Sequence, residues 1–324
     1  MKAIRCKEFG PPAALVFEEI PDLKPKENEV LVAVKACGIN FPDTLIIQGL
    51  YQFKPELPFT PGSDIAGIVK EVGTEVKHLK VGDEVFGFVQ NGGFAEEVVV
   101  PANTCFLKSK KMDFPIAASF MVAYGTSYHA LKDRAKLSKG ESLLVLGASG
   151  GVGLAAVELG KLMGASVIAA ASTEEKLQLC REYGADHTIN YSTEDLKSTI
   201  KKLTDNKGVD VIYDPVGGEY SEMAFRGIAW GGRFLVVGFA SGSIPKMPLN
   251  LPLLKTASIV GVFWGDFAMK NPKQNMENTR TLIKWVEEGK LRPHIHKIYK
   301  LEDTSRALEE MADRKVKGKL VVQV

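Results

Sequence analysis

The sequence is short of cysteine and of excess charge. Its 324 residues include four cysteines, none of them in a Cys-x-x-Cys pair, so neither a disulfide framework nor a cysteine-rich zinc module is expected. Lysine and arginine number 41, against 39 aspartate and glutamate residues. This near balance is too even for bulk electrostatics to drive binding to nucleic acid or to anionic lipid, and we expect neither as a partner.

Long apolar runs are also lacking. The most apolar stretches, around 116–124 and 257–264, have about half the length that a membrane-spanning helix needs. Charged residues within the first eight positions interrupt any apolar region of a signal peptide. We therefore expect a cytoplasmic protein with no membrane association.

Glycine, in contrast, is plentiful, with 31 residues. The chain length of 324 residues suggests two domains. Through about residue 120, short β-branched runs such as Val30–Ala36 and Ile65–Val72 are separated by closely spaced turn signals. This pattern is typical of a compact, mainly β barrel.

From about residue 122, strands alternate with amphipathic helices. A strand is predicted at Ser142–Leu146, a helix at Gly151–Met163 and a later helix at Ser221–Ala229. Such alternation predicts an α/β fold with a doubly wound parallel sheet. The final run, Lys319–Val322, is more similar to the first region, and we expect it to return there.

The segment Leu143–Gly153 (LLVLGASGGVG) leads a buried strand into a glycine turn that opens a helix. Such a turn presents backbone N–H groups and the positive end of the helix to a pyrophosphate. Gly150 would let the backbone approach the phosphates closely, and Gly153 would let the helix pack against the strand. The residues predicted to bind the dinucleotide here are Ala148, Ser149, Gly150, Gly151, Val152 and Gly153.

The end of the next strand selects the cofactor. NAD-binding proteins have an acidic residue there, whereas this chain has Ser172 and Thr173 and no carboxylate before Glu174. A small neutral strand end leaves room for a 2′-phosphate, to which Ser172 and Thr173 can donate hydrogen bonds and Lys176 can supply charge. NADPH is therefore predicted over NADH, with a solvated helix lysine as the alternative for Lys176.

Motifs along the whole chain are similar to those of a known family. They are Cys37–Asp43 (CGINFPD), Pro61–Gly67 (PGSDIAG), Val81–Gly87 (VGDEVFG), Gly93–Glu96 (GFAE), Tyr124–Ala130 (YGTSYHA), Ile189–Tyr191 (INY), Val211–Gly217 (VIYDPVG) and Lys317–Val321 (KGKLV). With them the sequence resembles the zinc-free NADPH:quinone oxidoreductase (zeta-crystallin-like) branch of the medium-chain dehydrogenase/reductases. The resemblance implies a GroES-like barrel substrate domain over 1–121 and 262–324, and a Rossmann domain over 122–261.

The same resemblance defines what is missing. Zinc-dependent members have a cysteine where this chain has Asn40 and a histidine where it has Ser63, and the four cysteines of their structural zinc lobe are absent. An amide and a hydroxyl do not replace a thiolate and an imidazole as zinc ligands. His294 and His296 have no third candidate ligand nearby in the sequence, so no metal site is expected.

Without zinc, hydride must go to an acceptor that needs little electrophilic help, such as a quinone or an alkene conjugated with a carbonyl. The resemblance implies that Asn40, Asp43 and Tyr51 face the nicotinamide and this small-molecule substrate. Turn roles for Asn40 and Asp43, and a packing role for Tyr51, are the alternatives. The further residues assigned to the cofactor site are Thr126, Tyr191, Phe239 and Phe263.

Two other functions stay open. The segment Gln48–Pro58 also resembles the 2-enoyl thioester reductases of this superfamily, in which the tyrosine matching Tyr51 is the proposed proton donor; Gly62–Asp64 departs from their Gly-Asn-Glu, so quinone reduction is preferred. The second is an NADPH-binding structural or regulatory protein without turnover. The apolar sheet edge around Ile259–Phe263 favours a dimer, and the resemblance implies a homodimer or homotetramer.

Overall fold

A computed structural model describes all 324 residues. The strands are β1 (Lys2–Arg5), β2 (Val16–Glu19), β3 (Glu29–Ile39), β4 (Asp64–Val72), β5 (Glu84–Phe88), β6 (Glu97–Pro101), β7 (Cys105–Leu107), β8 (Ser142–Leu146), β9 (Ser166–Ala171), β10 (His187–Asn190), β11 (Val209–Asp214), β12 (Ile228–Val236), β13 (Ser258–Gly261), β14 (Ile295–Lys300) and β15 (Lys319–Gln323).

The α-helices are α1 (Phe41–Ile46), α2 (Phe114–Ala118), α3 (Met121–Tyr128), α4 (Gly151–Leu162), α5 (Glu174–Glu182), α6 (Leu196–Leu203), α7 (Glu219–Phe225), α8 (Asn250–Lys255), α9 (Trp264–Lys270), α10 (Pro272–Glu287) and α11 (Thr304–Ala312). Short 3-10 helices lie at Pro12–Ala14, Ala102–Thr104 and Leu301–Asp303, and a π-helical segment at His129–Arg134. The longest helix, α10, has 16 residues, and no helix combines the length and the apolar character needed to cross a membrane.

The chain forms two compact units, one of residues Met1–Val122 with Ile283–Val324 and one of Ala123–Leu282. The sequence-based boundary at residue 262 therefore differs from the observed one at Ile283. The reason lies in side-chain packing, since the indole ring of Trp264 fills the space where a Cβ of Gly125 would stand. In the same way, the Asn278 amide donates a hydrogen bond to the Asp133 carboxylate at 2.8 Å, which holds α10 to the second unit.

The first unit is built on a seven-stranded sheet in the order β14-β15-β3-β4-β5-β7, with β6 also paired to β3. Strand β15 runs antiparallel to β3, with Leu320 opposite Ile39, so the end of the chain returns to the first region as its pattern predicts. Helix α1 follows β3 after a single residue, Asn40, which therefore stands at the junction of the sheet and the helix.

The second unit is a six-stranded, wholly parallel sheet in the order β10-β9-β8-β11-β12-β13. The order proceeds outward from β8 in one direction and then from β11 in the other, which is the Rossmann arrangement. Side chains from neighbouring strands, such as Leu144 and Ile212, are fully buried between the sheet and its helices. The predicted doubly wound sheet with a separate β unit is confirmed.

The helix predicted at Ser221–Ala229 is too long. Helix α7 ends at Phe225, because the backbone N–H of Val209 bonds to the Gly227 carbonyl at 3.0 Å and Ile228 already pairs with Val209 in the sheet. A side chain at Gly227 would also collide with Ile200, since its Cβ would lie 2.9 Å from that side chain. Sheet pairing therefore overrides the local helical pattern here.

Candidate functional site

The glycine turn has the geometry of an anion-binding loop. Strand β8 ends before Gly147, which has a φ of 56°, and Gly150 is the N-cap of the 12-residue helix α4. A Cβ at Gly153 would lie 2.3 Å from the Gly147 carbonyl oxygen, so only glycine fits there. A Cβ at Gly150 would make only an ordinary contact, 3.4 Å to the Gly147 carbonyl oxygen, so a small side chain is sterically allowed at the N-terminus of α4.

Several assigned cofactor residues follow the carboxyl ends of parallel strands, where ligands of such sheets bind. Tyr191 follows β10; its N–H bonds to the Ala171 carbonyl at 3.2 Å and its ring lies 4.5 Å from that of Tyr220. Phe239 follows β12 and packs beside Gly217, where a Cβ would lie 3.0 Å from the Phe239 ring. These residues lie at the same edge of the sheet as the glycine turn.

The segment predicted to select the cofactor lies between β9 and α5. Strand β9 ends at Ala171, and Thr173 caps the helix by accepting a hydrogen bond from the Lys176 backbone N–H at 3.3 Å. Ser172 and Lys176 are half-buried, and the first carboxylate, Glu174, is exposed in the first turn of α5. The strand end itself is neutral, as the sequence indicates.

Thr126 lies in α3, which is tied to the first turn of α4. The hydroxyl of the neighbouring Ser127 donates to the Val152 carbonyl at 2.8 Å and lies 2.9 Å from the Tyr213 hydroxyl. Phe263 is different, since it is 53% exposed at the N-cap of α9. Trp264 turns inward, with its indole N–H bonded to Asn275 at 3.1 Å.

In the first unit, Asn40 and Asp43 form a buried polar centre at the start of α1. The Asn40 backbone N–H donates to the Asp43 carboxylate at 2.8 Å, and the Asp43 N–H donates to the Asn40 backbone oxygen at 3.0 Å. Burial raises the pKa of Asp43 to about 7, although the Asn40 N–H and the Lys319 charge oppose that rise. Asp43 can therefore exchange a proton near neutral pH.

The sequence interpretation missed two residues of this centre, Lys319 and Asp64. The Lys319 ammonium donates to the side-chain oxygen of Asn40 and lies 3.6 Å from the Asp64 carboxylate. Burial raises the pKa of Asp64 to about 6, and Lys319 is the main opposing cause. A signal was present in the sequence, since Lys319 directly precedes the apolar run Leu320–Val322, which is buried and pairs with β3. We name Asn40, Asp43, Asp64 and Lys319 the buried polar cluster.

Tyr51 lies near this cluster and packs against the apolar core of the first unit. Its pKa is raised above the usual value for a phenol, first by burial and then by the charge of Asp43. The hydroxyl therefore stays protonated at neutral pH, and Tyr51 can act as a hydrogen-bond or proton donor.

Asp214 is a further residue to which sequence reasoning gave no role. At the end of β11, its carboxylate accepts hydrogen bonds from the N–H groups of Val216 and Gly217 at 2.8 and 2.9 Å, and from the Ser221 hydroxyl at 2.5 Å. The loop that it holds faces the glycine turn, since a Cβ at Gly147 would touch the Val216 side chain at 2.8 Å. Asp214 thus fixes the loop that packs against the glycine turn.

Comparison with known proteins agrees with this geometry. Residues 26–110 match the alcohol dehydrogenase GroES-like domain, and residues 151–287 match the family described as zinc-binding dehydrogenase. The quinone oxidoreductase-like protein 2 homolog of Nematostella vectensis is 40% identical over 99% of this chain and 88% of its own length.

Two solved structures are also similar over the full chain. The structure of Escherichia coli quinone oxidoreductase complexed with NADPH has a TM-score of 0.94 and 30% identity, and covers 100% of both chains. The CurK enoyl reductase has a TM-score of 0.90 and 27% identity, and the match covers 99% of this chain and 98% of that one.

A Rossmann unit with a phosphate-type glycine turn, joined to a GroES-like unit, defines the class of medium-chain dehydrogenases and reductases. The chain belongs to that family, within its quinone oxidoreductase and quinone oxidoreductase-like group of oxidoreductases.

The description of one matched family raises the question of zinc. In the structure, no three His, Cys, Asp or Glu side chains converge in a way that could hold a metal ion. Asn40 and Ser63 offer an amide and a hydroxyl, and the ammonium of Lys319 already lies against Asn40 and Asp64. A fixed cation beside neutral oxygen donors does not fit a zinc site.

Proposed function

We propose that the protein transfers hydride from NADPH to a quinone or a similar conjugated carbonyl acceptor, without zinc. The observation that carries the proposal is the buried polar cluster, in which the Lys319 ammonium binds the Asn40 amide at the position where a metal-dependent relative needs ligands. A site of this kind has hydrogen bonds but no Lewis acid to offer, which suits an acceptor that is readily reduced.

On the cofactor side, we propose that the glycine turn binds the pyrophosphate of NADPH. The glycine turn at the N-terminus of α4 supports this, as does the NADPH bound by the E. coli quinone oxidoreductase. Ser172, Thr173 and Lys176 would hold the 2′-phosphate at the neutral end of β9. When bound, NADPH supplies the hydride.

On the acceptor side, we propose that Asn40 and Tyr51 donate hydrogen bonds to the oxygen where negative charge develops. The Tyr51 hydroxyl is protonated at neutral pH, as an ordinary phenol is, and burial and the Asp43 charge raise its pKa further. Asp43, whose pKa is about 7, would exchange the proton that the reduction consumes. The overall reaction takes one hydride from NADPH and one proton from solvent, and yields a hydroquinone from a quinone.

The test is a screen of NADPH oxidation with a naphthoquinone, an enal and a crotonyl thioester, each at saturating NADPH. The proposal expects the naphthoquinone to give the highest kcat/KM. Binding of NADPH without turnover of any of the three would instead support a structural or regulatory protein.

A 2-enoyl thioester reductase is the second candidate, favoured by one specific observation. A protonated, half-buried phenol such as Tyr51 can donate a proton to an enolate as readily as a hydrogen bond to a quinone oxygen. The similarity to the CurK enoyl reductase supports it. A crotonyl thioester turned over faster than the naphthoquinone would favour this candidate.

We also propose that the protein is a homodimer. Strand β13 ends the parallel sheet and pairs only with β12, so its other edge has unpaired backbone groups. Apolar side chains at and near this edge are exposed, among them Ile259 at 41% and Leu253 at 76%. An exposed apolar strand edge is a natural site for pairing with a second copy.

A further inference from the structure

Lys319 is a buried cation to which the proposed reaction gives no task. Its side chain is only 6% exposed, and the next three residues of the same strand, Leu320, Val321 and Val322, are fully buried. A lysine is rarely buried so completely unless it is paired. Its partners are the side-chain oxygen of Asn40 and the carboxylate of Asp64.

The contact with Lys319 determines which way the Asn40 amide points. An ammonium group has three N–H donors and no acceptor, so it can bind only the oxygen of an amide. The Asn40 NH2 group is then the donor end, with a long hydrogen bond, 3.5 Å, to the Gly38 carbonyl and a side-chain hydrogen bond to the Asp64 carboxylate. Because an NH2 group has two N–H donors and the bond to Gly38 is long, that group can still donate to a ligand.

Asn40 is also the N-cap residue of α1. An asparagine at the N-cap of a helix normally turns its side-chain oxygen back to the free N–H groups of the first turn. In α1 the Asp43 N–H bonds to the Asn40 backbone oxygen at 3.0 Å, and the side chains of Asn40 and Asp43 form a reciprocal capping box. The Asn40 side-chain oxygen also accepts a hydrogen bond from Lys319, 279 residues away in the chain, so its contacts all favour the same orientation of the amide.

We propose that Lys319 is a positioning residue of the reductase site, which holds Asn40 by its amide oxygen so that the NH2 group is the end offered to the acceptor. This inference rests on the proposed function, since it assigns Asn40 as a hydrogen-bond donor to the developing oxyanion. A hydrogen bond to the oxygen of an amide also polarises its N–H groups and strengthens them as donors. One well-placed donor of this kind contributes about 100- to 1,000-fold to kcat in other oxyanion sites.

Two carboxylates lie near the Lys319 ammonium and oppose the loss of its charge. They are Asp64 of β4 and Asp43 of α1; the thiol of Cys37 of β3 also lies nearby, but burial raises its pKa and keeps it neutral. Burial lowers the pKa of Lys319, and the negative charges of Asp64 and Asp43 are the main causes that raise it. The charged form alone must bind the oxygen end of Asn40, and the two carboxylates stabilise that form against the burial that lowers its pKa.

Two variants distinguish a role of Lys319 in orienting Asn40 from a role in neutralising the charge of Asp64. K319M removes the cation but leaves Asp64 buried and unpaired, so it can unfold for that reason alone. The double variant K319M/D64N removes both charges and keeps the cavity filled. We expect it to have a Tm and an NADPH Kd close to wild type, and a kcat with naphthoquinone at least about ten-fold lower. K300M, an exposed lysine at the end of β14, is the matched control and should have wild-type kcat.

The pH dependence of kcat provides a second test, because a residue with only a packing role would not change it. N40D can still accept the hydrogen bond from Lys319, but it has a donor only while its carboxyl is protonated. Its kcat should therefore fall by up to about ten-fold per pH unit above the pKa of residue 40, relative to wild type.

The outcomes are separable. A folded double variant with wild-type kcat would show that Lys319 only neutralises Asp64, and an N40D profile parallel to wild type would show that residue 40 is no donor; either result overturns the inference while the proposed function stands. If the wild-type protein turns over none of the three acceptors, the proposed function fails and this inference fails with it.

Discussion

The Asp43 carboxylate accepts a hydrogen bond from the Asn40 backbone at 2.8 Å while it is 1% exposed to solvent. Asp43 thus closes the first turn of α1 and carries a carboxyl group into the interior of the first unit. Burial of an ionisable group favours its neutral form, so the same contact that builds the helix start also creates a group that titrates near neutral pH.

Asp43→Asn should remove a pH-dependent loss of stability. The pKa of Asp43 is about 7 in the folded protein against 3.8 for the free side chain, so between about pH 4 and 7 the folded state binds more protons than the unfolded state. Raising the pH through this window lowers the free energy of unfolding of the wild type, by at most about 1.4 kcal/mol per pH unit for one proton. Urea unfolding of both proteins at pH 5 and 8 should therefore show D43N gaining stability relative to wild type; a constant difference would contradict the assignment.

Tyr51→Phe removes only the hydroxyl and keeps the packing against the core. If Tyr51 donates to the acceptor, kcat should fall at least about ten-fold while the Kd for NADPH is kept. Tyr183→Phe, at the end of α5, is the control and should leave kcat unchanged. A Y51F enzyme as fast as wild type would assign Tyr51 to packing and would weaken the enoyl reductase candidate.

Gly150→Ala and Gly153→Ala should have different effects although both change the same turn. Gly150 has a φ of −76° and room for a Cβ, so G150A should keep the wild-type Tm but lose at least about ten-fold in NADPH affinity, because the methyl group occupies the space of the phosphates. G153A should lower the Tm, since its Cβ would collide with the Gly147 carbonyl. Thermal unfolding and NADPH titration test both variants. Unchanged NADPH binding by G150A would show that the phosphates do not bind at this turn.

Lys176→Ala should weaken NADPH binding about ten-fold or more and leave NADH binding unaltered, because the lost charge-assisted hydrogen bond is to the 2′-phosphate. Lys202→Ala, an exposed lysine of α6, is the matched control. Fluorescence titration with both cofactors gives the two Kd values. Equal effects of K176A on NADPH and NADH would exclude the phosphate contact.

Ile259→Lys should dissociate the proposed dimer. The substitution places a charge on the exposed edge of β13, where pairing with a second copy would bury it. Val81→Lys changes an equally apolar side chain, 64% exposed in the first unit, and should leave the dimer intact. Sedimentation velocity distinguishes the two, and a wild-type protein that is monomeric at micromolar concentration would rule out the proposal.

Local sequence was sufficient wherever neighbouring residues decide the structure. The run Leu143–Gly153 predicted the strand, the turn and the helix, because β propensity, glycine spacing and helical periodicity all act within a few residues. It was insufficient at Ser221–Ala229, where pairing of Ile228 with a strand 19 residues earlier ended the helix. The boundary near 262 also depended on distant contacts, those of Trp264 and Asn278.

The sequence by itself determined the two-unit α/β design, the phosphate-type turn, the neutral end of β9 and the lack of zinc ligands at Asn40 and Ser63, since each is a matter of residue type and short spacing. Only the tertiary structure decided the buried polar cluster. Lys319 meets Asn40 across 279 residues because β15 returns to pair with β3, and the burial that follows raises the pKa values of Asp43 and Asp64. These carboxyl groups titrate closer to neutral pH than free carboxyl groups because folding removes them from water, which no short stretch of sequence specifies.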